Sequence, residues 1–228
     1  MSSMISYRRP DGQSVDAYLA EPEGGGPAVV VLQEWWGLND QIRGVADRLA
    51  LAGYRALVPD LYRGKSTVEA EEAHHLMSNL KFGEAAEQDV RGAVQYLKAA
   101  SPRVAVTGFC MGGVLTLMAA AAIADLDAAV CWYGFPAPEQ FDASRIKARL
   151  MAHWATQDAA FAIEQVDLLE QKLRAAGVDY TGHRYLAYHA FANETAVGPG
   201  RIPITQYDPA WAQIAWDRTL RFFGRHLG

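Results

Sequence analysis

Cys110 sits in the run VAVTGFCMGGVLTLMAAA, between a short apolar stretch and a glycine-led apolar segment. GFCMGG fits G-x-nucleophile-x-G, the sharp strand-to-helix turn that lifts a nucleophile above a parallel sheet. The glycines have a steric purpose, because a Cβ two residues either side of the nucleophile would collide with the crossing strand and helix. The same turn aims a helix N-terminus at the sulfur, which favours thiolate, and sets the Met111 amide where an oxyanion would form. That is equipment for acyl transfer. A cysteine nucleophile needs a base, and the base needs an orienting acid. In such turns they follow in the order acid, then histidine, each on a loop at a strand's carboxyl end. TQD after RLMAHWA supplies Asp158, and AYHAFAN after GHRYL supplies His189.

The other histidines are weaker candidates. His153 and His183 fall inside predicted strands, where core or sheet partners are the expectation; His74 and His75 lie among glutamates on a predicted solvated helix face. His226 is expected to be exposed on a terminal helix, and Asp125 and Asp127 read as turn residues at a helix end. There is no HExxH or CxxC pattern, so no metal site is expected. Cys131, within AAVCWYG, reads as an inert buried thiol.

The elements that must position these groups are legible from periodicity. Alternating stretches on either side of Asp11-Gly12 predict two strands. GGGPAVVVLQE predicts a loop and then a strand buried on both faces, and Asn39 is placed to cap a helix that Gly53 ends. YRALVPDLY predicts a strand stopped by Pro59, followed by helices over 68–80 and 84–99 and a strand over 103–107. LDAAVCWYG, ARLMAHWA and DYTGHRYL predict three further strands, with an amphipathic helix in AFAIEQVDLLEQKLRAAG. A loop from about 187 to 206 leads into a final helix. This alternation predicts one α/β domain over residues 1–228, a mostly parallel central sheet with helices on both faces. Ligands bind such sheets at the carboxyl ends of the strands, where Cys110, Asp158 and His189 fall.

Composition narrows the partner. Half of the 228 residues are hydrophobic and the formal net charge is −5, the opposite of a nucleic-acid footprint. The longest apolar stretch, 112–124, is too short to span a bilayer, and the N-terminal residues carry no apolar signal core. Two cysteines make no disulfide framework, so both are expected reduced, in a cytoplasmic protein acting on a small molecule. Oligomeric state leaves no mark in the sequence.

Taken together, QEWWGLN, GYRALVPDLY, GFCMGG, TQD and YHAFAN resemble the dienelactone hydrolase (carboxymethylenebutenolidase) family of α/β-hydrolases, from about residue 28 to the C-terminal helix. The resemblance implies an α/β-hydrolase fold and a Cys-His-Asp triad that hydrolyses lactones or esters through a thioester, without metal or cofactor. Cys110 would be the nucleophile, His189 the base and Asp158 its orienter. It further implies that Glu34 interacts with the resting thiol and that the Trp35 amide joins Met111 as oxyanion donor. Trp36 and Tyr133, after two strand ends, are expected as pocket walls.

One position departs from the family. Members that process dienelactones carry an arginine four residues after the histidine, paired with the substrate carboxylate; here Asn193 stands there, facing the substrate by analogy. Lys81 and Arg201 are the remaining basic candidates. A broad carboxylesterase acting on neutral aromatic esters therefore stays open. So does a non-catalytic binding or redox-sensing protein with an oxidisable Cys110. The histidine–acid pair argues against that last reading, since a sensor needs neither.

Overall fold

A computed structural model describes residues 1–228. Strands β1 (Ser2–Arg8) and β2 (Ser14–Ala20) form the predicted hairpin, and Gly12 takes the positive φ of 87° that its turn demands. β3 (Ala28–Leu32) leads to α1 (Asp40–Leu51), where the Asn39 side chain accepts from the Ile42 amide at 3.1 Å, and then to β4 (Arg55–Pro59). After α2 (Ala70–Asn79), a short helix α3 (Phe82–Glu84) runs through a π-helical turn over Ala85–Val90 into α4 (Arg91–Lys98). A π turn leaves a carbonyl without its usual helical partner. The Tyr7 hydroxyl donates to the carbonyl of Asp89, within that turn, at 2.7 Å.

The second half alternates as the periodicity predicts: β5 (Val104–Phe109), α5 (Met111–Ala122), β6 (Ala128–Trp132), β7 (Arg149–Ala155), α6 (Ile163–Ala175), β8 (Tyr180–Tyr185) and α7 (Pro209–Leu227). All eight strands join one sheet in the order β1-β2-β4-β3-β5-β6-β7-β8. β1 and β2 are antiparallel to their neighbours, and every pairing from β4 to β8 is parallel.

Burial on both faces explains the continuous apolar strands. In β3, Val30 and Leu32 pack into one core with Leu97 of α4, Leu115 of α5 and Leu169 of α6. Val29 and Val31 point the other way, into a second core with Val45 of α1 and Phe223 of α7. Helices thus cover both faces of a mostly parallel sheet, the α/β-hydrolase arrangement. The carboxyl ends of β3, β5, β7 and β8 all open toward one edge, with the loops that follow them.

Candidate active site

β5 ends at Phe109 and α5 begins at Met111, so Cys110 is the single residue between strand and helix. It adopts φ 52° and ψ −114°, a left-handed conformation costly for a residue with a Cβ and tolerated where surrounding structure enforces it. The flanking glycines show the enforcement. A Cβ on Gly108 would strike the Gly112 carbonyl, and one on Gly112 would strike the carbonyl of Leu32 and lie 2.7 Å from that of Gln33. Met111 is the first residue of α5, so its amide has no intrahelical acceptor. The Trp35 amide, in the turn after β3, likewise donates to no backbone carbonyl.

Asp158 lies three residues beyond β7. Its Oδ1 accepts from the amides of Ala160 and Phe161 at 2.8 and 2.9 Å, which fixes the carboxylate, and Oδ2 meets His189 Nδ1 at 2.7 Å. A carboxylate only accepts, so Nδ1 donates to Asp158 and Nε2 is the nitrogen left to exchange a proton with the thiol. Nε2 lies 3.1 Å from Cys110 Sγ. His189 stands on the loop after β8, held by a Gln206 amide bond to its carbonyl at 3.0 Å and by a positive φ of 58° at Ala190. Tyr133 meets its ring edge-on at 5.2 Å and Phe161 stacks at 5.6 Å. Burial works against a charged ring here, but the facing Cys110 charge and the Asp158 bond outweigh it and hold the His189 pKa well above its ordinary value.

The thiol opens on a cavity of about 730 Å³. Trp35, Trp36, Val114 and Phe161 form apolar wall, and the segment around Thr67 and Val68 also lines it. That segment carries no local signal of a ligand contact, because it reaches the cavity only through the fold. Arg201 also lines the cavity. Its Nη1 donates to the carbonyls of Pro203 and Thr205 at 3.1 and 2.9 Å.

Three expectations meet a different arrangement. Glu34 does line the cavity beside Cys110, but its oxygens accept from Tyr133 Oη at 3.2 Å and Asn193 Nδ2 at 2.6 Å, leaving the thiol to His189. Burial pushes the Glu34 carboxyl above its ordinary range, opposed by the His189 charge and by these two bonds. Tyr133 is not a pocket wall: a φ of 36° turns it beneath His189, where it is 1 % exposed. Asn193, also at the cavity edge, spends its side chain on Glu34 and Thr195.

The remaining histidines are accounted for elsewhere. His153 is fully buried between the hydroxyls of Tyr185 (2.8 Å) and Thr219 (2.9 Å), His183 is half-buried and stacks on it at 5.7 Å, His74 and His75 are exposed, and His226 is half-buried against Phe222. Cys131 is buried and donates to the Gly134 carbonyl at 2.8 Å, its pKa driven up by burial. No three His, Cys, Asp or Glu side chains converge as a metal cluster, and no helix is long and apolar enough to cross a membrane.

The family model of the dienelactone hydrolase family matches residues 15–227. The chain belongs to that family. It is 35% identical over 238 residues to Protein usf of Aquifex pyrophilus, with all of both chains covered. A protein of Aquifex aeolicus, provisionally named a carboxymethylenebutenolidase, is 31% identical with the same full coverage. Among solved structures, a dienelactone hydrolase-like promiscuous phosphotriesterase from metagenomic libraries superposes with a TM-score of 0.88 at 26% identity, covering 100% of this chain and 99% of its own. The chain is thus a dienelactone hydrolase-like hydrolase by family, and its fold is that of an α/β-hydrolase.

Proposed function

We propose that the chain hydrolyses small lactones or activated carboxylic esters, with Cys110 as nucleophile, His189 as base and Asp158 as the acid that orients it. The observation that carries this reading is the unbroken hydrogen-bonded line from Asp158 through His189 to Cys110, ending on a cavity lined largely by apolar side chains. His189 Nε2 takes the thiol proton as Sγ bonds to the acyl carbon. The carbonyl electron pair moves to oxygen, held by the amides of Trp35 and Met111; one such donor lowers the barrier by about 3 kcal/mol. The acyl C–O bond then breaks, and the leaving oxygen takes the proton from Nε2. The acyl group remains on Cys110 as a thioester. Water next gives a proton to Nε2 while its oxygen attacks the thioester carbon, and collapse returns the thiolate, which recovers that proton as the acid leaves.

The thiol accounts for the substrate class. Thiolate is a better leaving group than an ordinary alkoxide, so the first intermediate collapses backwards unless the substrate's own leaving group is good. Enol lactones and aryl esters meet that condition. Hydrolysis of both should vanish in Cys110→Ala, and mass spectrometry of the wild-type protein should find the acyl adduct on the Cys110 peptide. Full activity in Cys110→Ala would refute the assignment.

A preference for neutral aromatic esters is a second reading, favoured by the Trp35, Trp36 and Phe161 walls and by an Asn193 turned toward Glu34. Matched esters with and without a carboxylate separate the two. The sheet draws on residues from Ser2 to Tyr185 and α7 packs against it, so we read one domain. Free thiols at Cys110 and Cys131 suit a reducing compartment, which we read as the cytoplasm.

A further inference from the structure

Asn193 lies four residues beyond His189 and is 2 % exposed. Its Oδ1 accepts from the Thr195 amide at 2.9 Å and from Thr195 Oγ1 at 2.6 Å. Its backbone amide donates to the Ala190 carbonyl at 2.9 Å, and its carbonyl accepts from the Ala196 amide at 3.0 Å. The residue therefore closes the turn that carries His189. Its Nδ2 then reaches across 159 positions of chain to Glu34 Oε2 at 2.6 Å. The other Glu34 oxygen accepts from Tyr133, whose ring edge meets the His189 ring. A closed circuit results: His189, its own turn, Asn193, Glu34, Tyr133 and back to His189.

We infer that Asn193 is a positioning residue, a latch that ties the His189 turn to the end of β3, holds the Cys110–His189 pair assembled without substrate and keeps the Glu34 carboxylate off the thiol. Both Glu34 oxygens have donors within the protein, so the carboxylate has no unmet demand that would draw it to Sγ. An Asn193 that served the substrate would need free polar atoms facing the cavity. Its carbonyl oxygen is doubly occupied, and one of its two Nδ2 hydrogens is committed to a buried carboxylate, so the protein itself fixes how the side chain is turned.

This inference rests on Cys110 being the nucleophile, and two readouts separate them. Asn193→Ala is assayed for kcat and KM on a neutral aryl ester. In the same protein, alkylation of Cys110 by iodoacetamide without substrate is followed by peptide mass spectrometry, with buried Cys131 as internal reference. We expect kcat to fall at least about tenfold with KM within roughly threefold, because a small misplacement of a reacting group is costly. Cys110 alkylation at neutral pH should slow by a comparable factor. A raised KM with kcat and alkylation unchanged would make Asn193 a substrate contact and overturn the latch; so would no change in any readout. If Asn193→Ala does not fold, Asn193→Asp decides, since it keeps an acceptor for Thr195 but puts an acceptor where the donor to Glu34 stood. A reduced kcat at fixed KM supports the latch, and wild-type kinetics overturns it. Hydrolysis surviving in Cys110→Ala would instead sink the nucleophile assignment, while the alkylation rates still report on the latch.

Discussion

Replacing Asp158 by Asn removes one charge and changes little else, which makes its effect calculable. The side-chain oxygen of Asn can still accept from the amides of Ala160 and Phe161, so the loop keeps its shape. That leaves the NH₂ group facing His189 Nδ1, where the carboxylate oxygen stood at 2.7 Å. Two donors cannot share that contact. The imidazole must shift its proton to Nε2, which then points an N–H at Cys110 Sγ from 3.1 Å and cannot accept the thiol proton. Loss of a charge-assisted hydrogen bond costs about 1.5–3 kcal/mol. The inverted tautomer adds to this, and the same change in a serine triad lowers kcat by about 10⁴. A thiol is far more acidic than an alcohol and leans less on its base. The expected loss is therefore about 3–4 kcal/mol, roughly 10²–10³ in kcat. Stopped-flow and steady-state hydrolysis of an aryl ester would measure it, with KM expected within about threefold because no substrate contact changes. Circular dichroism and melting should match wild type. A loss smaller than about tenfold in a folded protein would refute the orienting role of Asp158.

Four further outcomes follow from other parts of the structure. Gly112→Ala drives a Cβ into the carbonyl of Leu32, which the sheet holds in place, and against that of Gln33. It should cost about 3 kcal/mol, at the upper end for overpacking, and lower Tm by roughly 6–12 °C in calorimetry. His153 should make the fold acid-sensitive: burial first, then the charges of His183 and Arg218, push its pKa well below the ordinary value. The unfolded chain binds this proton below about pH 6.5 and the folded chain does not, so stability is full above that pH. It then falls by up to about 1.4 kcal/mol per pH unit on acidification, measurable by urea unfolding across pH 5–7. Arg218 donates to the Tyr185 hydroxyl at 3.0 Å, so that hydroxyl's own hydrogen goes to His153; Tyr185→Phe should cost about 1–3 kcal/mol at neutral pH. Arg201→Gln should lower kcat/KM for a carboxylate-bearing ester by about tenfold and leave its neutral analogue unchanged, since a charged hydrogen bond is worth about 1.5–3 kcal/mol. Equal effects on both esters would mean that Arg201 only braces its own loop through the carbonyls of Pro203 and Thr205.

The sequence by itself determined whatever depends on neighbours along the chain. The GFCMGG elbow is a local steric pattern, and its glycines lie where a side chain cannot fit. The strands of the parallel core are apolar runs because both faces are covered, and Asn39 caps α1 because its side chain reaches an amide three residues on. Asp158 and His189 were expected on loops after two strand ends, and that is where they lie. What tertiary structure decided was which of the neighbouring polar groups face one another. Tyr133 stands after a strand end like a pocket wall, yet a positive φ turns it under His189. Asn193 occupies a position read as a substrate contact and instead bonds Glu34, 159 residues away. Thr67, Val68 and Arg201 reach the cavity only because β3, β4, β5 and β8 bring their loops to the same edge of the sheet. A buried carboxylate takes the donors the completed fold brings within about 3 Å, and spacing along the chain does not encode that choice.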